Sequence, residues 1–260
     1  MKYIAKSLSF LIISVALMAA PAAVSAKDNF KMPNHVLNIS KENTFPNPAA
    51  DQEVVEPSKE TKELLESSEV KIENPELVRM LNETTIKPSP VAIGYRAEIY
   101  LGHWALGYKS AETSVNWQYR KINMNELRNY DSEKTQKLQY MQKTEAKVKG
   151  ALTNQINHAD DVRKMMLLKA KKKTKLPLAE QAVFGKGTRT SNEYAVPVEK
   201  IGQLSAYGAA VNERGEAQFG EVYLVLKGSK KHLVAKNVTK QGIGGWIPVQ
   251  DHISFTMQIK

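Results

Sequence analysis

The chain contains no cysteine. That excludes disulfide staples, iron–sulfur clusters, thiolate zinc sites and a cysteine nucleophile. No apolar run after the first 26 residues approaches the roughly 18 needed for a membrane-spanning helix. G-x-S-x-G and H-E-x-x-H are both missing, so there is no nucleophile elbow and no sequence-local zinc pair. The five histidines (His35, His103, His158, His232 and His252) are scattered. No catalytic set, metal site or cofactor motif emerges from these absences.

What is present begins with an export signal. Lys2 and Lys6 precede a 13-residue, almost unbroken apolar run from Leu8 to Ala20. Pro21 breaks the helix, and Val24-Ser25-Ala26 places small residues where signal peptidase reads them. The expected product is a secreted or extracytoplasmic protein cleaved after Ala26, with no transmembrane segment in the mature chain. Three N-x-S/T triplets, at Asn38, Asn82 and Asn237, matter only in a glycosylating host.

Charge divides the remainder. Residues 27–90 carry 8 basic and 12 acidic side chains, whereas 91–260 carry 27 basic and 15 acidic. Prolines at 33, 46, 48 and 57 and weak periodicity make 27–57 an extended arm that docks loosely. A small helical module follows over 58–90. Ser58 caps its first helix, and Asn74-Pro75-Glu76 opens the second with a cap, a first-turn proline and an acid for the dipole. Pro88 and Pro90 close it.

From Val91 the hydrophobic period changes to two, through Val91, Ile93, Tyr95, Ala97, Ile99 and Leu101. A strand from Val115, Trp117 and Tyr119 is expected to pair with 137–153 across a polar loop at 125–135. A central basic helix runs from Asn157 to about Lys173. Strands at 198–210 and 217–227 flank a turn at Asn212-Glu213-Arg214-Gly215. A hairpin turns at Gly228-Ser229, and Ile253, Phe255, Met257 and Ile259 form a last strand. Strands neighbour strands, so the fold class is α+β, mainly antiparallel sheet, with a β-rich body over 91–260.

Several patterns resemble sites and have plainer explanations. Ser68-x-x-Lys71 and Ser114-x-Asn116 mimic a penicillin-recognising serine set, but Lys186-Gly187-Thr188 has the wrong order for its third motif. His158, Asp160 and Asp161 fit the acidic first turn of a helix better than a metal cluster. Gly242-Ile-Gly-Gly-Trp246-Ile-Pro248 lacks the following helix and lysine of a phosphate cradle, and reads as a bulge or loop packed by Trp246. The remaining feature is basic. Arg163, Lys164, Lys169, Lys171, Lys172, Lys173 and Lys175 fall within 13 residues. On a helical wheel Val162, Met165, Met166, Leu167 and Ala170 share a face, Lys164 and Lys171 lie opposite, and Lys169 and Lys173 intrude on the apolar side. A membrane-surface helix would keep that side clean. Without interleaved aromatics, nucleic acid is a poor partner. The plainer readings, lysines snorkelling at a helix C-terminus that the dipole favours and a solvated face, weigh more. The functional alternative is an anionic cell-wall polymer bound by Lys164, Lys171, Lys172 and Lys173.

NISKEN (38–43), PSKETKELLESSEVKIENPELV (57–78), IGYRAEIYLGHWALGY (93–108) and the run from VYLVLKGSKKHLVAKNVT to QGIGGWIPVQDHISF (222–255) resemble the YfkD-like family. The resemblance implies an exported protein of Gram-positive spore-forming bacteria, and carries over no catalytic residue. The functional expectation is a non-enzymatic binding or scaffolding protein at the cell envelope. The alternative is an extracellular hydrolase of wall or peptide substrates, its residues drawn from distant strands. N-terminal sequencing of the exported protein should begin at Lys27; a product that retains the Leu8–Ala20 run would contradict the leader assignment.

Overall fold

The computed structural model describes residues 32–48, 54–84, 86, 94 and 96–260. The leader, Pro88, Pro90 and the strand start expected at Val91, Ile93 and Tyr95 lie outside them. Three very long strands dominate: β2 (Arg96–Asn129), β8 (Lys200–Lys227) and β9 (Lys230–Ile259). β8 is central. It pairs antiparallel with β2 from Arg96↔Lys227 to Asn129↔Lys200, and with β9 from Lys227↔Lys230 to Gly202↔Ile259. The turn between β8 and β9 is the expected Gly228-Ser229 hairpin, with Gly228 at φ +58° supplying the left-handed conformation. β1 (Val36–Asn38) and β5 (Ala151–Leu152) add to β9. Two small sheets stand apart, β3 (Gln136–Met141) with β7 (Arg189–Val196) and β4 (Ala146–Lys149) with β6 (Gln181–Phe184). The class is α+β in the broad sense, mostly antiparallel sheet.

Three elements differ from expectation. Asn212-Glu213-Arg214-Gly215 is no turn: it continues β8, paired through Asn212↔Ser114 and Gly215↔Ser110 on one side and to Trp246 and Ile243 on the other. Local turn propensity loses because both neighbours satisfy the backbone groups of this stretch. Gly242–Pro248 likewise lies within β9 rather than in a loop. The strand begun at Val115 belongs to β2 and pairs with β8, while the expected partner segment splits into β3, β4 and β5 with other neighbours. The polar loop shrinks accordingly, since β2 runs to Asn129.

The arm does not dock loosely over 32–48. β1 pairs with β9 through Val36↔Ser254, and Ile39 is buried in the core. Asn43 and Asn47 each donate to Asp251 Oδ1 at 2.8 Å and to the Val183 carbonyl at 2.9 and 3.0 Å. These carboxamides stitch the segment to β6 and β9 simultaneously, which no local pattern announces.

Burial switches from even to odd and back to even positions along β8. In β8 the buried positions are 202, 204, 206, 208 and 210 at one end, 209, 211, 213, 217 and 219 in the middle, and 220, 222, 224, 225 and 226 at the other end. Three core clusters follow in line: Leu204 and Ala206 under the small sheets, Val211 and Phe219 under α3 (Ala159–Thr174), Val222 and Leu224 under the N-terminal helices.

The helices form where their caps predict. α1 (Lys59–Glu66) starts at Ser58, whose Oγ accepts from Thr61 N at 3.2 Å. α2 (Pro75–Glu83) starts at Asn74, whose Oδ1 accepts from Glu76 N at 2.9 Å. Asn74 is fully buried, and its amide donates to the Ala105 carbonyl at 2.8 Å and to Asp161 Oδ2 at 3.0 Å, so one residue caps α2 and ties it to β2 and α3. Among the described residues no helix is long and apolar enough to cross a membrane.

Two lysines of α3 fasten it to the helical module. Lys164 pairs with Glu76 at 2.7 Å and Lys169 with Glu73 at 2.7 Å. Lys164 therefore does not simply point to water. Its hydrogen bond and charge hold the Glu76 carboxyl below the usual carboxylate range, and Glu76 in turn raises Lys164. Burial pushes Glu73 up, but hydrogen bonds and charge from Lys169 and Lys71 outweigh it, and the net shift is downward. Carboxyls lowered on folding stabilise the docked state fully above their unfolded value near 4.5, and that stabilisation fades as pH falls through the folded values. Hydrogen exchange in Asn74–Glu83 should accelerate relative to the β8 core between pH 6 and about pH 3 once corrected for intrinsic rates. Equal protection of both regions across that range would show that these ion pairs do not hold the module.

Candidate anion-binding site

A cavity rich in lysine lies between α3, β2 and the segment before α2. It measures about 420 Å³ and is lined by Lys71, Glu73, Tyr108, Lys109, Ser110, Lys169, Lys173, Gly107 and Gln218. Four lysines and one carboxylate face this space, and the carboxylate, Glu73, is already paired with Lys71 (2.5 Å) and Lys169. Lys109 and Lys173 are exposed.

The floor is built by β2 and β8. Lys173 Nζ donates to Ser110 Oγ at 2.6 Å and to Thr113 Oγ1 at 3.2 Å. Those hydroxyls donate in turn to Glu213, Thr113 to Oε2 at 2.5 Å and Ser110 to Oε1, with Tyr108 Oη adding a third bond at 3.2 Å. Glu213 is completely buried, so its carboxylate depends on these donors. Burial pushes the Tyr108 phenol far above its ordinary value, and the Glu213 charge adds to that; Tyr108 stays a donor at any physiological pH. Gly215 makes the packing feasible, because a Cβ there would lie 2.6 Å from Tyr108 Oη. The result is a relay: a buried negative charge, one layer of hydroxyls, then an ammonium at the cavity surface.

Chemically this arrangement presents donors and positive charge to an incoming anion. Ser110 already donates its proton to the buried Glu213 and accepts from Lys173.

The four lysines expected to form the site do not gather. Lys173 reaches the cavity; Lys164 is engaged by Glu76; Lys172 is exposed and lines a small hollow of about 220 Å³ beside Glu73, Met165 and Lys169; Lys171 is half-buried elsewhere on the helix. The other contributors, Lys71, Lys109, Ser110 and Glu213, come from distant segments. One signal for Glu213 existed: the period-two series Val211, Glu213, Gly215, Ala217, Phe219 runs unbroken through the supposed turn.

The remaining patterns disperse. Ser68 Oγ accepts from Val70 N just after α1, while Ser114 sits in β2 opposite Asn212. His158 does meet His103, with Nε2 and Nδ1 3.1 Å apart, but Asp160 pairs with Arg163 and Asp161 accepts from Asn74. Among the described residues no three metal-ligating side chains converge.

Comparison with known proteins agrees with the sequence resemblance. The YfkD-like protein family matches residues 33–260. A Bacillus subtilis (strain 168) protein named Uncharacterized protein YfkD is 56% identical over 236 residues, covering 91% of this chain and 89% of that one. Among solved structures, the crystal structure of lamprey immune protein aligns at 8% identity over 63% of this chain and 53% of that chain, with a TM-score of 0.25, which is too low to carry an argument. On the extent and identity of the family and Bacillus matches, the chain belongs to the YfkD-like family.

Proposed function

We propose that this protein is an exported, non-enzymatic binding protein of the cell envelope, and that it holds anionic wall polymer at the cavity between α3 and β2. The observation that carries the reading is the convergence of Lys71, Lys109, Lys169 and Lys173 on one cavity whose single lining carboxylate is already paired. Lys172 extends the same positive surface along α3. The excess of 27 basic over 15 acidic residues in 91–260 supplies the long-range field that would draw a polyanion to it. In this reading Lys164 is a fastener rather than a ligand, and Lys173 is the residue that faces both the relay and the polymer.

Binding of this kind depends on displacing counterions, so it falls steeply with salt. Co-sedimentation with purified wall polymer should be strong at about 50 mM salt and weak at about 300 mM. Replacing Lys109, Lys172 and Lys173 by Gln should flatten the salt dependence, by about one unit of logarithmic slope for each phosphate that is no longer neutralised. The same number of charges removed from the hairpin tip, at Lys227 and Lys230 with Lys240 on β9, should do less. Binding indifferent to salt, or an equal weakening from the tip substitutions, would contradict a site at α3.

A further inference from the structure

On the opposite flank of α3, the glycine-rich run of β9 leaves space beside β5. Gly244 and Gly245 carry no side chains where the two strands approach. A Cβ at Gly245 would sit 3.3 Å from the Ala151 carbonyl and 3.1 Å from Met166 Cε, and one at Gly244 would sit 3.2 Å from Thr153 Cγ2. With those positions bare, Thr153 Oγ1 exchanges hydrogen bonds with Gly244 at 3.1 Å in both directions, and a groove stays open between β5, β9 and α3. It comprises a cleft of about 460 Å³ and a shallower extension of about 890 Å³, which share Gly150, Ala151, Leu152 and Arg163.

We propose that this groove binds an uncharged oligosaccharide. Three features point to sugar rather than to another ligand. Trp246 is among the residues that line the cleft, and Tyr119 stacks on its indole with ring centroids 4.8 Å apart, so an aromatic pair is available beside the groove. Five carboxamides line the groove, Gln181 in the cleft and Asn154, Gln155, Asn157 and Gln241 along the extension. Each offers a donor and an acceptor side by side, the pattern that reads neighbouring hydroxyls. The Asn154 and Gln241 amides reach backbone carbonyls only at 3.5 Å, although Asn154 Oδ1 already accepts from Thr153 Oγ1 at 2.7 Å. Charge is balanced, since Arg163 pairs with Asp160 at 3.0 Å and Glu180 faces the same cleft as Lys149, so nothing selects a strong anion here. The cleft volume lies within the roughly 300–1,000 Å³ of small-molecule sites, and the open extension continues the run for further sugar units.

Because the ligand is neutral, its binding separates from that of the anion cavity. Isothermal titration of the mature protein with chitotetraose, maltotetraose and mannotetraose should show saturable binding of at least one, with a Kd that is the same at about 50 and 300 mM salt. Asn157→Ala with Gln241→Ala, both exposed positions, should weaken it at least about fivefold, the scale of one or two hydrogen bonds. Trp246→Leu should remove most of the remainder, with circular dichroism checking that β9 stays folded. Lys109→Gln with Lys172→Gln should leave the titration unchanged. Saturation by none of the three, or saturation that survives the carboxamide pair and Trp246→Leu alike, overturns the proposal.

Discussion

Everything in this molecule hangs on β8 being paired along both edges for its whole length. A strand of 28 residues is several times the ordinary length, and it persists because β2 and β9 flank it nearly end to end. Each of the three core clusters takes residues from β8, and the helices and small sheets reach one another chiefly by way of this strand and its two neighbours. Buried positions on β8 change parity along its length, so that one strand serves three different covers in succession.

The central cluster is where this constraint touches chemistry. Continuous pairing carries Glu213 into the interior, where an unpaired carboxylate would be severely destabilising. Hydroxyls from β2 satisfy it, and Lys173 satisfies the hydroxyls, so the sheet also orders the last turn of α3. The same helix borders the carboxamide groove on its other side, through Arg163, Met166 and Leu167. α3 is thus a partition with a basic cavity on one flank and a nearly neutral groove on the other. Its low amphipathicity makes sense in those terms, because several of its lysines are used in pairs and hydrogen bonds rather than displayed.

How much was legible in the sequence follows from the range of each interaction. Caps are local, so Ser58 and Asn74-Pro75 marked their helices well, and the basic helix fell within two residues of its observed ends. The Gly228-Ser229 hairpin was equally local. Pairing of β3 with β7 and of β4 with β6 joins segments separated by other elements, and alternation alone names no partner. Asn-Glu-Arg-Gly and Gly-x-Gly-Gly look like turns in isolation, and only their neighbours on both sides convert them into strand. Of the candidate site, Lys173 was visible as one of a cluster. Ser110, Thr113 and Glu213 were hidden because their roles arise from cross-strand register, a tertiary property.

The continuity of β8 through Glu213 is the claim on which the relay, the cavity and the placement of α3 all rest. Residue-resolved hydrogen exchange on the mature protein tests it directly. The amides of Val211, Glu213 and Ala217 should exchange among the slowest in the chain, with opening free energies close to that of global unfolding. Rapid exchange at Asn212–Gly215, comparable with Gly228 and Ser229 in the hairpin turn, would mean that the stretch is a turn after all and that Glu213 has no buried network to sustain.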